Sequence, residues 1–112
     1  MSRKTNASRK SPPAPIFAAL GDETRLALIE KLNDGSPCSI AQLTEGTALT
    51  RQAVTKHLRV LENVRIVRSV KTGRESLFQL DPAPLRQVRD YADVVSQQWD
   101  HALSRLKAFV EK

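Results

Sequence analysis

The chain has 112 residues, 40% apolar and 27% charged, with a net charge of +6 and a single cysteine, Cys38. This length suits one domain with a small core that gains stability from self-association. One cysteine excludes an internal disulfide. With no apolar run of about 18 residues and a polar, basic start, neither a membrane span nor a secretory signal is expected, and the cytoplasm is the expected location.

Residues 1–15 carry four basic side chains, no acidic one and three prolines, and read as a flexible basic arm. Residues 16–112 then form one folded domain. A short helix is expected over residues 16–20, interrupted at Gly21. Asp22 is a good N-cap for a second helix running to about Asn33, with Leu26, Ile29 and Leu32 along one stripe. Asp34-Gly35-Ser36-Pro37 ends it.

Ser39-Ile40-Ala41-Gln42 is a capping box for a third helix, which Gly46 cuts short. Thr50 caps a fourth over residues 50–63, with Leu49 and Val54 placed as a hydrophobic staple. Val54, Leu58 and Leu61 face inward, and Arg51, Gln52, Thr55, Lys56 and Arg59 collect on the outer face. Two strands follow, over residues 66–70 and 75–80, joined by the cationic tip Lys71-Thr72-Gly73-Arg74. Asp81 and Pro82 open the last helix as N-cap and first residue.

In that helix Leu85, Val88, Ala92, Val95, Trp99, Ala102, Leu106 and Phe109 alternate steps of three and four, which makes four heptads. A small domain can cover only part of such a stripe. A second copy of the same helix is the expected partner, and Trp99 is assigned to core or dimer packing.

Charge is focused along the chain. Residues 51–75 hold seven basic and two acidic side chains, whereas residues 76–112 balance. Two short helices, a tight turn, a polar-faced second helix and a basic-tipped hairpin make a winged helix-turn-helix, mostly α with a small β-hairpin. Such a module binds double-stranded DNA with its second helix in the major groove. The helix N-terminus at Thr50 favours a phosphate. Arg51 suits guanine and Gln52 suits adenine by bidentate bonding. Thr55, Lys56 and Arg59 are expected on phosphates or base edges, and Lys71 and Arg74 on flanking DNA. His57 lies beside the apolar edge, to touch phosphate or to pack, with a supporting role favoured. No nucleophile-base arrangement, carboxylate pair or glycine-rich phosphate loop stands out, so no catalytic residue, no enzyme and no cofactor are expected.

Phe17-Ala18-Ala19-Leu20-Gly21-Asp22-Glu23-Thr24-Arg25-Leu26 resembles the opening motif of ArsR/SmtB-type bacterial regulators. Leu49-Thr50-Arg51-Gln52-Ala53-Val54-Thr55-Lys56-His57-Leu58 is similar to their recognition helix, and Thr72-Gly73-Arg74-Glu75 with Phe78 and Leu80 to their wing. The resemblance spans residues 16–110. It implies a homodimeric repressor that binds inverted-repeat operators and dimerises through its first and last helices, here through Phe17, Leu20, Val88, Ala92, Val95, Trp99 and Leu106.

Two departures stand against that pattern. Arg65 occupies a position where the family usually has glycine. The Cys-x-Cys pair of metal-sensing members is replaced by Ser39 and Ala41, with Cys38 alone, and the last helix offers Asp90, Asp93 and His101 but no clear ligand set. No metal site is therefore expected, and Cys38 is read as a small buried filler. A metal- or small-ligand-responsive sensor repressor is the alternative function. Nonspecific DNA compaction would need charge but no capped recognition helix.

Overall fold

Side-chain caps fix where the helices of this chain begin. The computed structural model describes residues 14–111; residues 1–13 of the expected arm and Lys112 lie outside the described residues. Helix α1 (Ala14–Leu20) starts two residues inside the expected arm. Pro15 sits in its first turn, where a missing amide costs no helix bond.

Helix α2 (Glu23–Lys31) is capped by Asp22, whose carboxylate accepts from the Arg25 amide at 3.0 Å. Its buried face carries Leu28 and, one turn on, Leu32, while Leu26 is 48% exposed. Of the expected stripe, Leu32 is buried and Ile29 packs against the core, and only Leu26 is corrected. Leu26 lies about 200° around the helix from Leu28, so the two cannot share a face.

Strand β1 (Cys38–Ser39) is not expected from the sequence. Two residues are too short to show a period, and their partners are far along the chain: Cys38 pairs with Phe78, and Ser39 with Leu77. Helix α3 (Ile40–Thr44) follows at once, opened by the expected capping box. Ser39 Oγ accepts from the Gln42 amide at 3.1 Å, and Gln42 Oε1 accepts from the Ser39 amide at 2.8 Å. Lys31 Nζ donates to the carbonyls of Leu43 and Glu45, at 3.1 and 2.8 Å, and so ties α2 to the end of α3.

Helix α4 (Arg51–Asn63) has Thr50 as N-cap, accepting from the Ala53 amide at 3.0 Å. Val54, Leu58 and Leu61 are fully buried, as their spacing predicts, and Leu49 packs against the same core. The C-terminus is a Schellman motif: the Arg65 amide donates to the Glu62 carbonyl and the Ile66 amide to the Leu61 carbonyl, both at 2.9 Å. Leu61 and Ile66, both fully buried, supply the apolar partners that accompany this motif.

Arg65 therefore takes the left-handed position, at φ +67°. A side chain there meets the steric cost that glycine avoids. Arg65→Gly should stabilise the fold by about 0.5–1 kcal/mol, after allowance for the freer unfolded chain. Thermal unfolding reads this as a rise of several degrees (~4 °C) in Tm.

Strands β2 (Val67–Thr72) and β3 (Glu75–Leu80) pair antiparallel, with Val67 opposite Leu80 and Thr72 opposite Glu75. The expected hairpin is one part of a three-stranded sheet ordered β1-β3-β2. Its tip is also shorter than expected. Lys71 and Thr72 belong to β2, leaving only Gly73 and Arg74 in the turn. Gly73, at φ +62°, supplies the positive φ that a type II′ turn needs at its first position.

Helix α5 (Ala83–Glu111) runs for 29 residues. It begins one residue later than expected: the Pro82 carbonyl accepts the first helix bond, from the Arg86 amide at 3.0 Å, so Pro82 stands at the cap, and Asp81 Oδ1 accepts from the Ala83 amide at 3.1 Å. Only the first part of α5 meets the core, with Pro84 buried and Leu85 and Val88 half-buried. Among the described residues, no helix is long and apolar enough to cross a membrane.

Candidate DNA-binding interface

Helix α4 divides cleanly between core and solvent. Opposite the buried Val54, Leu58 and Leu61, the side chains of Arg51, Gln52, Lys56 and Arg59 are exposed. Thr55 is half-buried, and its hydroxyl donates to the Arg51 carbonyl at 2.7 Å, which commits its proton to the helix backbone. An open groove of about 810 Å³ fronts the helix N-terminus, lined by Thr50, Arg51, Gln52, Ala53, Thr55 and Lys56 together with Ile40 of α3. Ile40 is a lining residue that the sequence reading missed. Its signal was its place directly after Ser39, at the start of the helix that braces α4.

The sheet is fastened to this helix and to the loop before β1. Ser69 Oγ, in β2, donates to Glu62 Oε2 of α4 at 2.8 Å. Gln79 Nε2 donates to the Gly35 carbonyl at 2.8 Å, and Gln79 Oε1 accepts from Arg68 Nη2 at 3.3 Å. These bonds hold the hairpin at a set angle to α4. Lys71 and Arg74 stand exposed at its far end.

His57 is half-buried, and its Nδ1 lies 3.2 Å from Arg25 Nη1. A guanidinium only donates, so Nδ1 is the acceptor in this contact. Asp22 Oδ2 lies 3.8 Å from the same nitrogen. Asp22 itself is held below its ordinary carboxylate value, first by the hydrogen bond from the Arg25 amide and, against some desolvation, by the nearby Arg25 charge.

A carboxyl lowered in the fold stabilises fully above its unfolded value, and that contribution fades as pH drops toward the folded one. Asp22→Asn should therefore melt below the wild type at pH 7. The gap should close as pH falls below the ordinary value of 3.8. Thermal melts across pH check this; a gap that persists in acid contradicts it.

The metal-sensor positions serve other ends. Ser39 is spent on its capping box, and Ala41 is exposed. Asp90, Asp93 and His101 are exposed along α5. Among the described residues, no three His, Cys, Asp or Glu side chains stand together as a metal site. Cys38 is half-buried in β1, and burial, with the Asp34 charge, pushes its thiol up. That makes it a poor thiolate nucleophile.

The proposed dimer residues fall on two elements. Phe17 of α1 meets Tyr91 of α5 edge to face, with ring centroids 5.6 Å apart. Leu20, Val88 and Val95 are half-buried, and Ala92 is exposed. Beyond them α5 shows bare apolar side chains: Trp99 is 63% exposed, Leu106 58% and Phe109 77%.

A helix-turn-helix domain family model matches residues 20–70, the span from α2 through β2. The HTH-type transcriptional regulator Rv2034 of Mycobacterium tuberculosis (strain ATCC 25618 / H37Rv) is 35% identical over 92 residues, covering 82% of each chain. An ArsR-like transcriptional regulator from Rhodococcus sp. RHA1 superposes with a TM-score of 0.75 at 33% identity, over 88% of this chain and 92% of that one. The chain belongs to the ArsR family of helix-turn-helix transcriptional regulators.

Within the ArsR fold, α3 and α4 are the helix-turn-helix and the β2–β3 hairpin is the wing. A homodimeric winged helix-turn-helix DNA-binding domain, Mb0332 from Mycobacterium bovis, shares this fold at 15% identity, with a TM-score of 0.64 over 86% of this chain and 89% of that one.

Proposed function

We propose that this ArsR-family regulator is a cytoplasmic homodimeric repressor that occupies an inverted-repeat operator. Helix α4 enters the major groove, Arg51 and Gln52 read base edges, Thr50, Lys56 and Arg59 engage phosphates or base edges nearby, and Thr55 accepts from a base-edge donor. His57 supports α4 from behind. The single observation that carries this reading is the division of α4, with three apolar side chains sealed in the core and the capped, cationic end left facing an open groove. Repression then needs only occupancy of the promoter and no chemistry.

The dimer rests on the bare stripe of α5. A patch of Trp, Leu and Phe this exposed on a small domain marks an interaction surface. A heptad pattern on one helix is complementary to its own copy across a two-fold axis. Phe17 and Leu20 of α1, with Val88, Ala92, Val95, Trp99 and Leu106 of α5, form that interface.

Lys71 and Arg74 of the wing are placed for phosphates or the minor groove beside the half-site. Lys71→Ala and Arg74→Ala should weaken binding equally on specific and random DNA, and each should flatten the salt dependence by about one charge. A salt slope unchanged from wild type would place the wing off the DNA.

Fluorescence anisotropy tests the whole reading, with duplex from upstream of the protein's own gene set against a shuffled duplex across a salt series. Tight binding to the first and much weaker binding to the second is expected. Equal, steeply salt-dependent binding to both would contradict a specific operator in that fragment.

A further inference from the structure

Arg25 makes a set of contacts that neither core packing nor DNA contact explains. Its Nε donates to the Ala19 carbonyl at 2.6 Å and its Nη2 to the Ala18 carbonyl at 3.3 Å. Its Nη1 donates to His57 Nδ1 at 3.2 Å. All three guanidinium nitrogens are engaged, on two different helices. Ala18 and Ala19 lie in the last turn of α1, where carbonyls lack partners within the helix. The last turn of α1 has no basic residue of its own, so Arg25 supplies the cation that its negative end favours. His57 lies midway along α4, the recognition helix.

These contacts join two layers that also share the apolar core, through Ile16 and Ala19 of α1 and Val54, Leu58 and Leu61 of α4. Helix α1 packs against α2 and α5, and α4 packs against α2, α3 and β2. Through Phe17 and Tyr91, α1 is also docked on α5. The guanidinium therefore links the α1–α5 layer to the middle of the DNA-reading helix. Apolar side chains between helices resist separation but allow small sliding and rocking. A planar fork with three bonds in different directions fixes both position and angle.

We propose that Arg25 is a positioning residue that sets the distance and angle between the two recognition helices, and so makes the regulator selective for the spacing of its half-sites. This rests on the dimeric reading above, in which the α1–α5 layer lies on the two-fold axis. One added base pair moves a half-site by about 3.4 Å along the duplex and about 35° around it. A rigid dimer cannot follow that change, whereas one whose recognition helices can rock partly follows it. Lysine is no substitute, because a single ammonium cannot span both carbonyls and the imidazole.

The test uses the full chain and an operator obtained by selection from random duplexes. Wild type, Arg25→Lys and Arg25→Met are titrated on that operator, on versions with one base pair added or removed between half-sites, and on a single half-site. Wild type should lose affinity by a factor on the order of 100 when the spacing changes, because the second half-site is no longer reached. Both variants should bind the native spacing more weakly, by about tenfold, and lose only about threefold more when it changes. Their half-site affinity should stay at the wild-type value.

A wild-type spacing ratio in both variants overturns the proposal, even if overall affinity falls, since that is what a purely structural arginine would give. If Arg25→Met fails to fold in a thermal melt, Arg25→Lys decides alone, because it keeps the cation beside α1. A wild type that selects no inverted repeat overturns the dimeric reading itself, and the spacing proposal with it.

Discussion

Trp99→Asp is expected to turn the protein into a folded monomer that has lost most of its operator affinity. Trp99 is 63% exposed in the single chain, so the substitution removes little from the core and the monomer should melt normally. In the proposed dimer the same position is a heptad core site, facing the partner copy of α5. An unpaired carboxylate there must be buried without a counter-charge, which costs several kcal/mol. Each 1.4 kcal/mol is tenfold, so dimer dissociation should rise by about a thousandfold or more. A monomer holds one half-site, and the loss of the second contact should cost a further factor of about 100 on an inverted repeat. Sedimentation gives the first quantity and anisotropy the second. Unchanged sedimentation would remove Trp99 from the interface.

Arg51→Ala should cost about 1–3 kcal/mol on the operator and relax the preference at one base position, and Gln52→Ala should do the same at a neighbouring one. Both side chains are exposed at the capped end of α4, where the Thr50 hydroxyl already satisfies the Ala53 amide. Neither takes part in a hydrogen bond that holds the fold, so stability should move by less than about 0.5 kcal/mol. The decisive comparison is between operator and shuffled duplex. A loss confined to the operator assigns base reading. Equal losses on both would reassign the residues to phosphate contact.

Local signals were legible in the sequence, and nonlocal ones were not. The caps at Asp22, Ser39 and Thr50 each act within three residues, and all three were readable as such. The buried face of α4 followed from spacing alone, and the 29-residue α5 from its heptads. Strand β1 escaped because its pairing with Phe78 and Leu77 joins residues about forty apart. On α2, Leu26 was misplaced while Ile29 and Leu32 were not, because Leu26, Leu28, Ile29 and Leu32 allow two stripes and only packing against the other helices chooses between them. The left-handed turn at Arg65 was marked by the family resemblance, which places glycine there, and not by arginine itself.

The candidate site shows the same split. Arg51, Gln52, Lys56 and Arg59 could be placed outward from period and charge. The links that hold the helix and the wing in place could not. Arg25 reaches across 32 residues to His57, and Gln79 across 44 to Gly35. No window of sequence contains both partners. His57 stood between two roles in the sequence, and its bond from Arg25 favours support over DNA contact.

Selection of binding sites from a pool of random duplexes, with the purified full-length protein, tests sequence-specific recognition by a symmetric dimer most directly. The enriched sites should form an inverted repeat, with half-sites centred about one helical turn apart, roughly 10 base pairs. They should hold a fixed guanine or adenine where Arg51 and Gln52 reach the groove. A pool that stays random while still binding at low salt, or that converges on a single unrepeated site, would contradict it.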